Sequence, residues 1–170
     1  ADKPKKKRGR PSKRNIEKAF SEIAKKVSSE DVFVVYLSGH GTSFGSAEKS
    51  QFYYLTKDIR SEDITDKSIR DAYTISSDDL TKWLKANPTR RQVVILDACH
   101  SGDVIKSLES IGVRELSSSQ IRAFERMKDR TGIFILTGSA GDKVSYESSI
   151  YGQGLLTYSL LQGMSGQALA

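Results

Sequence analysis

The 170-residue sequence predicts an α/β fold with a mostly parallel central sheet and helices on both faces. Three observations carry that prediction. Apolar, β-branched runs at 32–37, 92–97 and 132–137 each stop abruptly in small polar residues, as buried parallel strands do at the edge of a sheet. Segments with helical periodicity separate these runs. The composition, 37% hydrophobic and 28% charged, suits one globular domain with its own core, and no apolar run approaches the roughly 18–20 residues of a membrane span.

Charge is unevenly placed. The net +6 comes from a basic stretch at 1–14, where eight Lys and Arg face only Asp2 and leave the rest of the chain at −1. This stretch is expected to be a flexible arm or loop, with residues 15–170 forming the domain. Its Lys7-Arg8-Gly9-Arg10-Pro11 matches an AT-hook core, and Pro4-Lys5-Lys6-Lys7-Arg8 matches a nuclear-import signal. A near-neutral body does not indicate a general nucleic-acid surface. The single cysteine excludes an internal disulfide framework and fits a reducing, cytoplasmic compartment.

Ile16, Ala19, Phe20, Ile23, Ala24 and Val27 line one face of a helix over 15–27, with Asn15 as its cap. The strand at 32–37 is expected to end in a turn at 38–41. A polar loop leads to a short strand at 52–55, and residues 57–72 read as acidic and irregular. Ser77 or Asp78 caps a helix carrying Leu80, Trp83 and Leu84, which Asn87-Pro88 ends. After the strand at 92–97, residues 103–131 read as helical, with Ile121, Phe124 and Met127 on one face. The strand at 132–137 ends in Gly138-Ser139-Ala140-Gly141-Asp142. Leu155, Leu156, Tyr158, Leu160 and Leu161 then predict a helix that covers the sheet.

Sites in such sheets lie beyond the carboxyl ends of the strands. His40, Cys99 and Asp142 all fall there. A thiol attacks a carbonyl as thiolate, so a nucleophilic cysteine needs a base beside it, and a histidine on a neighbouring strand end supplies one. Glycines beside both residues free main-chain N–H groups, and those of Gly41 and Cys99 suit a developing oxyanion. Cysteine is often a buried structural thiol, yet Cys99 lies just past 93–96 and before polar His100-Ser101-Gly102. His100 is a rival base, although a residue adjacent to the nucleophile usually points elsewhere at a strand end.

Tyr36-Leu37-Ser38-Gly39-His40-Gly41 and Asp97-Ala98-Cys99-His100-Ser101-Gly102 resemble the two signature blocks of caspase-like cysteine peptidases, most closely the metacaspase and bacterial orthocaspase branch. His40 and Cys99 are 59 residues apart, close to the caspase spacing of about 50. The segment 139–147 with Gly154-Leu155-Leu156-Thr157-Tyr158 is similar to the family's specificity-pocket region. The resemblance implies a three-layer α/β/α sandwich, a His40–Cys99 dyad, and an oxyanion hole from Gly41 and Cys99. It also implies a substrate-binding set of Asp97, Ser38, Ser139, Asp142 and Glu147.

Animal caspases carry glutamine two positions before the cysteine, whereas this sequence has Asp97, as metacaspases do. A carboxylate at the pocket floor favours a cation and rejects acidic side chains. The expected activity is therefore an endopeptidase cutting after Arg or Lys, with protein or peptide partners and no membrane. The alternatives are a non-catalytic binding module of the same fold and a DNA-associated protein using the basic arm.

In the family, further strands precede the helix at 15–27 and further structure follows the C-terminal helix. The resemblance thus implies truncation at both ends, with another chain as a possible source of the missing parts. Ser76-Ser77-Asp78-Asp79 is similar to a region where calcium-dependent metacaspases place carboxylate ligands, but Lys106 stands where another ligand is expected. No metal or cofactor is therefore assigned, and calcium is kept as an option. Residues 103–131 correspond to the linker that such enzymes cut on activation, and offer Lys106, Arg114 and Arg122 as cut sites.

Overall fold

A computed structural model describes residues 9–46, 51–61, 63–100, 113–115, 122–123, 125–127, 133–137, 144–148 and 153–167. In chain order these form α1 (Lys13–Ala24), β1 (Val32–Phe44), β2 (Gln51–Leu55), α2 (Lys67–Tyr73), β3 (Thr74–Ser76), α3 (Ser77–Lys85) and β4 (Arg91–His100). After them come β5 (Val113–Glu115), helical residues at 122–123 and 125–127, β6 (Phe134–Thr137), β7 (Val144–Ser148), β8 (Gln153–Gly154) and α4 (Leu155–Met164).

The sheet is α/β and mixed, in the order β3-β2-β1-β4-β6. β1, β4 and β6 are parallel, as their apolar β-branched sequences predict, and the antiparallel β2–β3 pair extends one edge. The inward residues Phe33, Val35 and Leu37 of β1 and Val94 and Leu96 of β4 are buried against α1 and α3. Phe20 of α1 joins the layers. Its ring meets Phe33 edge-on at 5.7 Å and Trp83 of α3 at 5.2 Å. The intervening residues Val32, Val34 and Tyr36 of β1 face outward and are exposed, as are Phe134 and Leu136 of β6. Here α4 reaches the sheet, where Thr157 bonds to Tyr36 and Asp97.

Several local expectations change. Residues 38–41 do not form a turn: β1 runs through them to Phe44, because its far half pairs with β2 from His40↔Leu55 to Phe44↔Gln51. The glycines permit that continuation. Gly39 has φ +152°, and a Cβ there would lie 2.9 Å from the Tyr54 hydroxyl. A Cβ on Gly41 would lie 2.4 Å from the Phe52 ring.

The helix caps also shift. Ser12, not Asn15, caps α1: its Oγ accepts the Asn15 amide at 3.3 Å while the Asn15 side chain turns back to the Arg10 carbonyl. Residues 13 and 14 therefore belong to the helix, while 1–8 lie outside the described residues. Ser76, rather than Ser77 or Asp78, caps α3 in a capping box completed by Asp79. The stretch read as irregular at 57–72 contains most of α2, which Asp66 caps through the amide of Ser68 at 2.7 Å. Arg70 then donates to the carbonyls of Ile64 and Thr65 and lies 4.2 Å over the Phe44 ring.

Within the segment expected to be helical, Val113–Glu115 is a strand, and Arg114 pairs with Ser145 of β7. Ala123 and Met127 are buried in the core, while Ile121, Phe124 and Lys106 lie outside the described residues. Buried Gln92 stitches the end of α3 to the start of β4, donating to the carbonyls of Leu84 and Thr89.

Candidate active site

The parallel β1–β4 ladder runs in unbroken register from Val32↔Arg91 to Gly41↔His100. That register makes two pairs at its carboxyl end: Ser38 opposite Asp97, and His40 opposite Cys99. Neighbouring strands lie about 4.8 Å apart, so residues 59 apart in sequence become backbone neighbours. His40 is exposed. The side chain of Cys99 lies outside the described residues.

Two features support the β1 side of the site. Tyr54 of β2 donates its phenolic O–H to the Ser38 carbonyl at 2.8 Å. Burial raises the Tyr54 pKa above the ordinary phenol value, and nearby Tyr36 adds to the rise. Gly41 is buried between Tyr54 and His100 in register, flanked by strands on both sides rather than held in a free turn.

Asp97 is half-buried two residues before Cys99. Its Oδ2 accepts a hydrogen bond from the Thr157 hydroxyl of α4, and the Thr157 and Tyr36 oxygens lie 2.5 Å apart. The threonine has one hydroxyl proton, and Asp97 takes it. The Tyr36 O–H therefore donates to Thr157, giving a one-way chain from Tyr36 through Thr157 to the carboxylate. Sequence reasoning held Tyr36 in a signature block and Thr157 in the pocket-like segment, but gave neither a role beside Asp97. The available signal was a Thr-Tyr-Ser run of hydroxyls at 157–159 inside the Leu155–Leu161 stretch and a phenol within the apolar run at 32–37.

Of the other expected pocket residues, Ser38 is exposed beside Asp97, and Glu147 is in β7 opposite Gly154. Ser139 and Asp142 lie outside the described residues. The aspartates considered for calcium are otherwise engaged. Asp79 accepts the Ser76 amide at 3.1 Å and pairs with Lys13 at 2.9 Å, while Asp78 accepts from Gln51. No group of three or more His, Cys, Asp or Glu is placed to hold a metal among the described residues. No helix among them is long and apolar enough to cross a membrane.

Comparison with known proteins places this geometry in a family. The caspase domain family model matches residues 5–169. Metacaspase-4 of Arabidopsis thaliana is 32% identical over 107 residues, covering 60% of this chain. Metacaspase-7 of the same plant is 32% identical over 125 residues, covering 68% of this chain. The chain spans only 23% and 28% of these two relatives' lengths. The crystal structure of protein GSU0716 from Geobacter sulfurreducens shares the fold, with TM-score 0.57 and 19% identity over 89% of this chain and 61% of that one. A parallel sheet that brings the His40 and Cys99 blocks together, and a family model matched over nearly the whole length, agree: the chain belongs to the caspase-domain family of cysteine peptidases.

Proposed function

We propose that this protein is a cysteine endopeptidase that hydrolyses peptide bonds after Arg or Lys. The observation that carries the reading is the register of β1 and β4, which pairs His40 with Cys99 two residues beyond Asp97. In this reading His40 takes the Cys99 thiol proton, and the thiolate sulfur adds to the scissile carbonyl carbon. The amides of Gly41 and Cys99 hold the oxyanion. Collapse of the adduct expels the amine, which takes its proton from His40 and leaves a thioester on Cys99. Water, deprotonated by His40, then releases the acid and regenerates the thiol.

Asp97 supplies the specificity. A half-buried carboxylate attracts the guanidinium or ammonium of the residue before the cut bond and repels an acidic side chain. Ser38, opposite Asp97, with Ser139, Asp142 and Glu147, completes the proposed substrate-binding set. Membership of the family supports protein substrates, and the low share of its relatives' length that the chain spans makes the activity itself the first thing to measure.

The test is an irreversible chloromethyl ketone carrying arginine, run beside its aspartate counterpart. The expected result is labelling of Cys99 by the arginine probe only, lost in His40→Ala and Cys99→Ala. Equal labelling with and without His40, or no labelling of the folded protein, overturns the proposal.

A further inference from the structure

We infer that Thr157 is a positioning residue that orients the Asp97 carboxylate and thereby sets a preference for arginine over lysine before the cut bond. This rests on the reading above, in which Asp97 meets the substrate cation.

The Asp97 carboxylate terminates an sp³–sp² torsion, which by itself is broad and roughly two-fold. Its plane therefore needs an external restraint to hold one direction. Thr157 provides it by donating to Oδ2, and Tyr36 fixes the Thr157 hydroxyl in turn by donating to its Oγ1 at 2.5 Å. The restraint comes from two elements. Tyr36 stands on β1, one strand across from Asp97, while Thr157 stands on α4, 60 positions from Asp97 in sequence. Neither residue belongs to the His40–Cys99 pair.

An oriented carboxylate matters unequally to the two cations. Guanidinium is a planar fork whose parallel N–H groups match both oxygens only when the two planes align. Ammonium is a compact point charge with three rotatable donors and accepts a carboxylate at many angles. Fixing the plane of Asp97 thus favours arginine, and freeing it costs arginine more than lysine. Helix α4 then influences specificity through one hydroxyl.

The experiment measures kcat/KM on matched peptide substrates with Arg or Lys before the cut bond, for the wild type, Thr157→Val, Thr157→Ser and Tyr36→Phe. Thr157→Val keeps the shape of the side chain and removes the donor, and the Arg/Lys ratio is expected to fall about tenfold, on the scale of one hydrogen bond to a charged group. Thr157→Ser restores the ratio, and Tyr36→Phe gives a smaller fall in the same direction. An unchanged ratio in Thr157→Val, or an equal loss on both substrates that serine does not rescue, overturns the inference and leaves the proposed activity standing. A wild type that cleaves neither substrate overturns the activity, and the inference with it.

Discussion

Tyr54 donates a 2.8 Å hydrogen bond to the carbonyl of Ser38, so a phenol on β2 holds the backbone two residues before His40. The same hydroxyl occupies the space that a side chain at residue 39 would need. One buried ring thereby fixes both the path of β1 and the choice of glycine within it.

Tyr54→Phe isolates that bond. It is expected to cost about 1 kcal/mol in urea denaturation, the net worth of one hydrogen bond. Burial raises the Tyr54 pKa from 10.0, so its contribution to stability is complete below that value and is lost as pH rises through the higher folded value. The alkaline fall in stability shrinks in the variant. An identical alkaline profile in both proteins refutes this assignment.

Gly41→Ala tests the close approach of Phe52. The added methyl would sit 2.4 and 2.5 Å from two ring carbons, so the ring or the strand must move. Overpacking of this kind costs about 1–3 kcal/mol. Phe52→Leu made alongside completes a double-mutant cycle, and the two losses are expected to be less than additive. Strict additivity counts against the steric explanation.

Acid stability of α2 depends on its own aspartates. Hydrogen bonds from Ser68, first from its side chain and then from its amide, lower the pKa of Asp66, and the Lys67 side chain lowers that of Asp71. Depressed values stabilise above the unfolded value of 3.8, and the contribution is lost as pH falls through the folded values. Asp66→Asn retains a capping oxygen but cannot titrate. The urea midpoint of Asp66→Asn is therefore expected to fall less steeply below pH 4 than that of the wild type, roughly the carboxylate range.

Ser76→Ala removes one half of the α3 capping box and is expected to cost about 1 kcal/mol. The loss appears in the denaturation midpoint. Ser77→Ala, at one of the two residues that sequence alone offers as a cap, leaves the Ser76 box intact and isolates the difference between the two positions.

The sequence made the centre of the fold readable because burial on both faces needs apolar, β-branched strands, and 32–37, 92–97 and 132–137 have that composition. It made α1 and α3 readable through helical spacing, with caps misplaced by one to three residues because several polar residues compete at each start. β5 and β7 escaped: Val-Arg-Glu and Val-Ser-Tyr-Glu-Ser become strands by pairing with each other across the chain, which no local pattern records. The seven-residue α2 buries nothing, so it carries no apolar stripe to read. At the site, Cys99 was legible near a strand end and His40 as the end of an apolar run, although β1 continues past His40 to Phe44, whereas the Tyr36–Thr157–Asp97 chain joins three segments brought together only by folding.

The apolar bodies of β1 and β4 have a further consequence for strand alignment. Val32 and Val34 on the outward side of β1 are as apolar as Val35 on the inward side, and Val93 and Ile95 repeat the situation on β4. A slip by one residue normally swaps an oily side for a wet one and is punished, but here the middle of the ladder discriminates weakly. A slip would set His40 against Ala98 or His100. What resists it at the carboxyl end is the Tyr36–Thr157–Asp97 chain, which ties β1 to β4 through α4. The ladder is therefore pinned at both ends, by Arg91 donating to the Glu30 carbonyl at its start and by this chain beside the site, and peptidase activity on the reading proposed above would count the molecules that closed it correctly.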